Sequence, residues 1–152
     1  MNALKLLNDL AAKIGIGRLV PEADGGVTLL FDDAHEVSFT PAEEDNAVVF
    51  QCELADASRL RPEDFRALLE ASLAETGGAG FAIHRQLDKL LLWKHFSEFH
   101  SAAELEKAIN DFLAQVILWK ERLANGSFSD TASAPDGDFE PPFNLATNFI
   151  QA

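Results

Sequence analysis

In three segments of this chain, apolar residues recur every three or four positions, the spacing of a helix with one buried face. These segments are residues 3–14, 62–76 and 101–124. Pro62 favours the first turn of the second helix, and Ser101 with Glu104 forms a capping box at the start of the third. Gly77 and Gly78 are predicted to end the second helix, because a left-handed residue costs least without a Cβ atom.

Five further segments are predicted to be strands. Three of them show apolar residues at alternate positions, and the short spacing between them indicates an antiparallel meander. Two more strands follow the second helix. The five segments are residues 27–31, 37–39, 48–54, 79–84 and 89–93. The predicted order is helix, three strands, helix, two strands, helix, which is an α+β fold with an antiparallel sheet packed against helices.

The last predicted strand is apolar on both faces, since Leu90, Leu91, Leu92 and Trp93 follow one another. A strand in a small antiparallel sheet usually keeps one face in water. This strand therefore needs a second covering surface. Either another helix of the same chain or a second copy of the chain would provide it.

Length and charge exclude several classes of partner. The chain has 152 residues, enough for one domain, and a formal net charge of −13. Residues 21–56 contain ten acidic residues and no lysine or arginine. Such a surface repels nucleic acid and anionic lipid. With no run of about eighteen apolar residues and no secretory signal, we expect a cytosolic protein without a membrane span.

The candidate chemistry is sparse, and we expect no enzyme activity, metal or cofactor. Cys52, the only cysteine, is in register with inward-facing residues and is predicted to be a buried structural thiol. His95, Glu98 and His100 are the nearest approach to a metal site, but their spacing differs from the i, i+4 pair of helical zinc sites. The adjacent Asp32 and Asp33 favour a turn with solvated charges.

The chain divides into a predicted α+β domain, residues 1–125, and a flexible acidic tail, residues 126–152, which contains phenylalanines but no lysine or arginine. Within this tail, the apolar residues of 139–145 suggest a segment that docks in a neighbour's binding groove. The alternative is a frayed end with incidental phenylalanines.

Several sequence patterns together resemble the class I type III secretion chaperones, the Tir-chaperone-like family. They are the segments 75–83, 27–31, 37–39 and 108–113, together with Trp119. The similarity spans about residues 3–124. It implies a small acidic homodimer of the bacterial cytosol that binds the N-terminal segment of a secreted effector and keeps it export-competent, without ATP, metal or catalysis.

The resemblance also implies two sets of contact residues. The dimer interface would comprise Phe65, Leu68, Leu69, Phe81, Ile83, Leu90 and Leu92. The effector would contact residues from a second set, of which we expect about half to face the partner and the rest to be core. That set is Leu4, Leu7, Val27, Leu29, Phe31, Val37 and Phe39. Two alternatives stay open, a monomer whose helices cover both sheet faces, and a regulatory or adaptor protein of related fold that binds a folded partner.

Overall fold

The computed structural model of the chain describes residues 3–15, 19–42, 47–72, 74–97, 100–126 and 149–151. It contains three α-helices, a single 3-10 turn at Ala57–Arg59 and six strands in the described ranges. The predicted α+β order is confirmed, with one strand added at the end. The elements are α1 (Ala3–Lys13), β1 (Val27–Phe31), β2 (His35–Pro41), β3 (Ala47–Asp56), α2 (Pro62–Ala71), β4 (Gly80–His84), β5 (Lys89–Ser97), α3 (Ala102–Asn125) and β6 (Phe149–Gln151).

The strands form one antiparallel sheet in the order β4-β5-β3-β2-β1-β6. One row of mutually opposite residues crosses five of these strands, and residues opposite one another share a face of the sheet. The row consists of Phe81, Leu92, Cys52, Val37 and Leu29. This apolar row marks the face of the sheet that is buried.

Helices α1 and α3 pack against that face. Phe112 of α3 contacts Phe50 of β3 edge to face, with 5.6 Å between ring centroids. Phe81 of β4 contacts Trp119 in the same way at 4.9 Å. Such ring pairs stabilise beyond the area they bury. The α3 residues predicted to face the core are buried, except Leu123, which is partly buried.

Both ends of α3 are capped. The Glu104 backbone N–H donates to Ser101 Oγ at 3.2 Å. The reciprocal bond of the predicted box, from the Ser101 N–H, is replaced by one from the preceding residue, because the His100 N–H donates to Glu104 Oε2 at 2.9 Å. At the other end, Gly126 adopts φ 66°, the left-handed conformation that favours glycine.

Helix α2 is shorter than predicted and ends at Ala71 instead of residue 76. Gly77 (φ 60°) and Gly78 (φ 84°) are left-handed, as expected, but they form the turn that leads into β4. The Thr76 hydroxyl donates to the Ala79 carbonyl at 2.6 Å, a local bond that favours a turn over a further helical turn.

Candidate partner-binding surfaces

Six of the seven residues predicted to contact an effector lie in the core of this chain. Their exposed fractions are 2% or less, because α1 and α3 cover the sheet face on which the strand residues lie. In this conformation their side chains are not available to a partner, so the expectation that about half face one is not met. Only Leu4 is partly exposed. The six buried residues are Leu7, Val27, Leu29, Phe31, Val37 and Phe39.

The outer edge of β1 can bind another strand through its backbone groups, although the inward-facing side chains of β1 are buried. One side of this strand pairs with β2 and the other with β6, in the register Leu29–Gln151, Leu30–Ile150 and Phe31–Phe149. No pattern in the sequence predicts this short strand. The tail segment 139–145, predicted to dock on a neighbour, lies outside the described residues.

The residues predicted at the dimer interface separate into core and surface. Leu68, Leu90 and Leu92 are at most 1% exposed and belong to the chain's own core, so they offer no surface to a second copy. Phe65 and Phe81 are half-buried. By contrast, Leu69 is 68% exposed on α2, and Ile83 is 51% exposed on the edge strand β4. We call these last two residues the exposed interface pair.

The second face of β5 also has apolar surface. Leu91 is half-buried there and Trp93 is 40% exposed, while Leu90 and Leu92 point to the core. Trp93 lies opposite Gly80 of β4, and a Cβ atom at Gly80 would lie 2.9 Å from Trp93 Nε1. The indole therefore packs directly on the glycine backbone. In the described part of the chain, Trp93 on this face stays 40% exposed, so the chain's own helices do not cover it fully.

Side-chain contacts hold the turn between α2 and β4. The sequence of this turn carries part of the family resemblance. Lys94 Nζ donates to the Gly77 carbonyl at 2.6 Å. Arg122 Nη1 donates to Glu75 Oε2 at 2.8 Å, and the same guanidinium lies 4.7 Å from the centroid of Trp119. Together with the buried Thr76 hydroxyl, these contacts fix the edge strand β4 against β5 and α3.

Acidic side chains surround the β1–β2 hairpin. Asp32 and Asp33 lie exposed in its turn with φ 50° and 53°, and Glu22 and Glu36 are exposed nearby in sequence. The described acids here are thus mostly solvated, as predicted. Glu43, Glu44 and Asp45 lie outside the described residues.

The candidate catalytic and metal-binding groups do not come together in the described ranges. Cys52 is 3% exposed, as predicted, and its burial raises the pKa of the thiol to about 11, so it stays protonated near neutral pH. His95 and His100 are exposed, and Glu98 lies outside the described residues. No three histidine, cysteine or acidic residues among those described are close enough to share a metal ion.

A comparison with protein families decides the affiliation of the chain. A sequence model described as the Tir chaperone protein (CesT) family matches residues 5–120. The chain belongs to this family. No curated protein sequence matches this Tir chaperone family member.

Solved structures confirm the fold of this family member. A chain from the HopA1-SchA chaperone-effector complex is 15% identical with a TM-score of 0.65, covering 77% of this chain and 91% of that one. A chain from the ExsC-ExsE complex is 20% identical with a TM-score of 0.65, covering 80% and 96%. The ExoU-SpcU complex of the type III secretion system of Pseudomonas aeruginosa contains a chain 19% identical with a TM-score of 0.59, covering 78% and 95%.

Among the described residues, no helix of this Tir chaperone family member is both long and apolar enough to cross a bilayer.

Proposed function

We propose that this protein is a type III secretion chaperone of the bacterial cytoplasm that binds the N-terminal segment of a secreted effector and keeps it export-competent. The family match over residues 5–120 carries this proposal. The structural relatives support it, because the HopA1-SchA complex is described as a chaperone with its effector and the ExoU-SpcU complex as part of the type III secretion system. The alternative, an adaptor for a folded partner, has no comparable support.

The working form in this proposal is a homodimer. Its interface includes the exposed interface pair, Leu69 and Ile83, which the chain leaves 68% and 51% exposed. Trp93 and Leu91 lie on the opposite, open face of the sheet from Ile83 and provide further apolar surface near the β4 edge. Burying a leucine or isoleucine side chain stabilises an association by about 2 kcal/mol, so a second copy placed on these residues gains from each of them.

The effector surface in this proposal includes the outer edge of β1 and the partly exposed Leu4 of α1. An unfolded segment can add a strand to a sheet edge through backbone hydrogen bonds alone. This mode needs no exposed apolar side chain on β1, which agrees with the burial of Val27, Leu29 and Phe31. The net charge of −13 keeps such a protein soluble while it carries an apolar client.

Co-expression with secreted proteins of the same genome tests the function. We expect the N-terminal segment of one such protein to co-purify with this chain and to become soluble with it. An internal segment of equal length from the same protein is the matched control and should not co-purify. Binding only to folded proteins, with no N-terminal segment retained, would contradict the proposal and favour the adaptor.

A further inference from the structure

The outer edge of β1 is already paired within the chain. Residues 149–151 add an antiparallel strand to it, opposite Leu29, Leu30 and Phe31. This pairing satisfies backbone groups that an edge strand otherwise presents to any passing strand. The chain therefore uses its own C-terminal segment as the cover of this edge.

The cover is short. Strand β6 has three residues, whereas β1 has five, and no residue of β6 lies opposite Val27 or Thr28. Short ribbons are marginally stable on their own. A longer extended segment can pair with all five residues of β1, so it gains backbone hydrogen bonds that β6 does not make.

The charge of the tail changes along its length. Residues 127–140 contain four acids, whereas residues 141–152 contain no charged side chain. The end of β1 that pairs with Phe149 leads directly into the exposed Asp32 and Asp33. An uncharged strand avoids like-charge repulsion with these carboxylates at a distance within the Debye length. A competing segment of a partner should have the same chemistry, extended, uncharged and partly apolar.

From this pairing, length and charge, we propose that residues 149–151 are an internal competitor that occupies the outer edge of β1 and leaves it when an extended segment of the client adds its own strand. That the displacing segment belongs to a secreted polypeptide rests on the proposed function. The tail thereby sets a threshold affinity, because only segments that pair better than β6 displace it. It also covers the edge against self-association while no client is bound.

A peptide added in trans tests this occupancy without any client. The probe is a fluorescent peptide of residues 144–152, and fluorescence anisotropy measures its binding to the full chain and to a variant that lacks residues 149–152. Short flexible tethers give effective concentrations in the millimolar range. We therefore expect the shortened variant to bind the peptide about tenfold more tightly than the full chain.

Proline substitutions in the full chain test whether the change in peptide affinity comes from the paired residues 149–151. Adjacent N–H groups of a strand point to opposite edges, so either Phe149→Pro or Ile150→Pro removes an N–H that points to β1, and that variant should raise peptide affinity as the deletion does. Thr147→Pro, the matched control outside the paired residues 149–151, should leave the affinity of the full chain unchanged. Equal peptide affinity of full chain and deletion variant, or no binding by either, overturns the proposal.

Hydrogen exchange gives a second readout. Those amides of residues 29–31 that point to β6 should exchange faster in the deletion variant than in the full chain, while those that donate to β2 and those of β3 stay the same. In the co-expression assay, a client that binds both forms equally tightly overturns the competition but leaves the proposed function intact. Failure of every client to bind either form contradicts the proposed function, whereas the peptide result still decides on the pairing of β6.

Discussion

At the scale of single residues, the pairing of Gly80 with Trp93 shows how an edge strand is completed. Glycine weakens a strand because it has no side chain to pack. Here the indole of Trp93 covers the glycine backbone from the neighbouring strand, and only the absence of a Cβ atom lets it approach so closely. The sequence showed both residues but not their register, so this contact could not be predicted.

Gly80→Ala should displace the Trp93 indole, because the new Cβ would lie 2.9 Å from Nε1 and 3.2 Å from Cε2. We expect the free energy of unfolding to fall by about 1 kcal/mol and the tryptophan emission to shift to the red. Urea titration followed by fluorescence measures both. In a Trp93→Ala background the same substitution should be neutral or stabilising, since alanine suits a strand better than glycine. An equal loss in both backgrounds would contradict the role of the contact.

A second residue-scale prediction concerns His35. Burial lowers the pKa of this histidine, and the nearby Lys120 lowers it further, while Asp32 acts in the opposite direction. Lys120 Nζ lies 3.3 Å from His35 Nδ1. In the unfolded chain His35 takes up a proton below its ordinary pKa of 6.5, but the folded chain resists this, so stability should fall as the pH drops below that value.

Urea midpoints at pH 7.5 and 5.5 measure this effect for the wild type and for His35→Gln. The wild type should lose more stability than the variant over this interval, since glutamine does not titrate. Lys120→Met should reduce the extra loss, because one of the causes that lower the pKa of His35 is removed. An identical pH response of wild type and His35→Gln would refute the assignment.

At the scale of elements, long periodic segments were predictable and short or locally irregular ones were not. The stripes of α1 and α3 and the alternation in β1 to β3 are set by burial on one face, which the sequence records directly. The predicted end of α2 was wrong. The Thr76 hydroxyl bond and the turn at Gly77 stop the helix earlier, and the spacing of apolar residues does not record either of them. Strand β6 has three residues and pairs far away in sequence, so no local pattern marks it.

The same limit applies to the candidate site. An apolar alternation in β1 and β2 indicates that one face is covered, but it does not say whether a helix or a partner covers it. The structure assigns that face to α1 and α3. In α2 the apolar stripe includes both Leu68 and Leu69. Only part of this stripe contacts the core, so Leu68 is 1% exposed whereas Leu69 is 68% exposed.

The contact of Arg122 with Glu75 links α3 to the turn before β4, and its removal should loosen that edge of the sheet. The two side chains are 15% and 31% exposed, so solvent screens the pair only partly. Arg122→Ala removes both the ion pair and the packing on Trp119 and should lower the free energy of unfolding by about 2 kcal/mol.

Chemical denaturation of this variant and of Glu75→Ala separates the two contributions. Glu75→Ala removes the ion pair but leaves the guanidinium on the indole ring, so it should cost less. Losses of the same size in both variants would show that the contact with Trp119 contributes nothing.

At the scale of the whole molecule, the helices cover one face of the sheet only up to its β4 edge and leave the other face open, so apolar residues stay exposed on both faces. Leu69, Ile83 and Trp93 remain exposed although the chain buries a continuous core. Scattered exposed apolar residues are common, but those on α2, β4 and β5 belong to the elements where the resemblance places the family's dimer contacts. This surface therefore carries the prediction about assembly.

Leu69→Asp combined with Ile83→Asp should give a folded monomer, because charges at an apolar interface lose hydration without gaining a partner. Size-exclusion chromatography with light scattering and circular dichroism measure mass and folding. Val20→Asp is the matched control, since Val20 is 70% exposed but precedes β1, four strands away from β4, and it should remain a dimer. A dimeric double variant, or a monomeric wild type, would count against this interface.

Leu90→Asp with Leu92→Asp should behave differently. Both residues are at most 1% exposed within the chain, so the variant should fail to fold instead of dissociating cleanly. A soluble, folded product from it would contradict their place in the core.

The strand order has a consequence for biosynthesis. Strand β3 pairs with β2, made just before it, and with β5, made only after α2 and β4. Long-range pairing of this kind slows folding, and proteins emerge from the ribosome N-terminus first. Until Ala102–Asn125 has been translated, Phe50 lacks the helix that covers it. We expect the nascent polypeptide to acquire its native state only after α3 has left the ribosome, so β3 stays without its cover while the intervening residues are made.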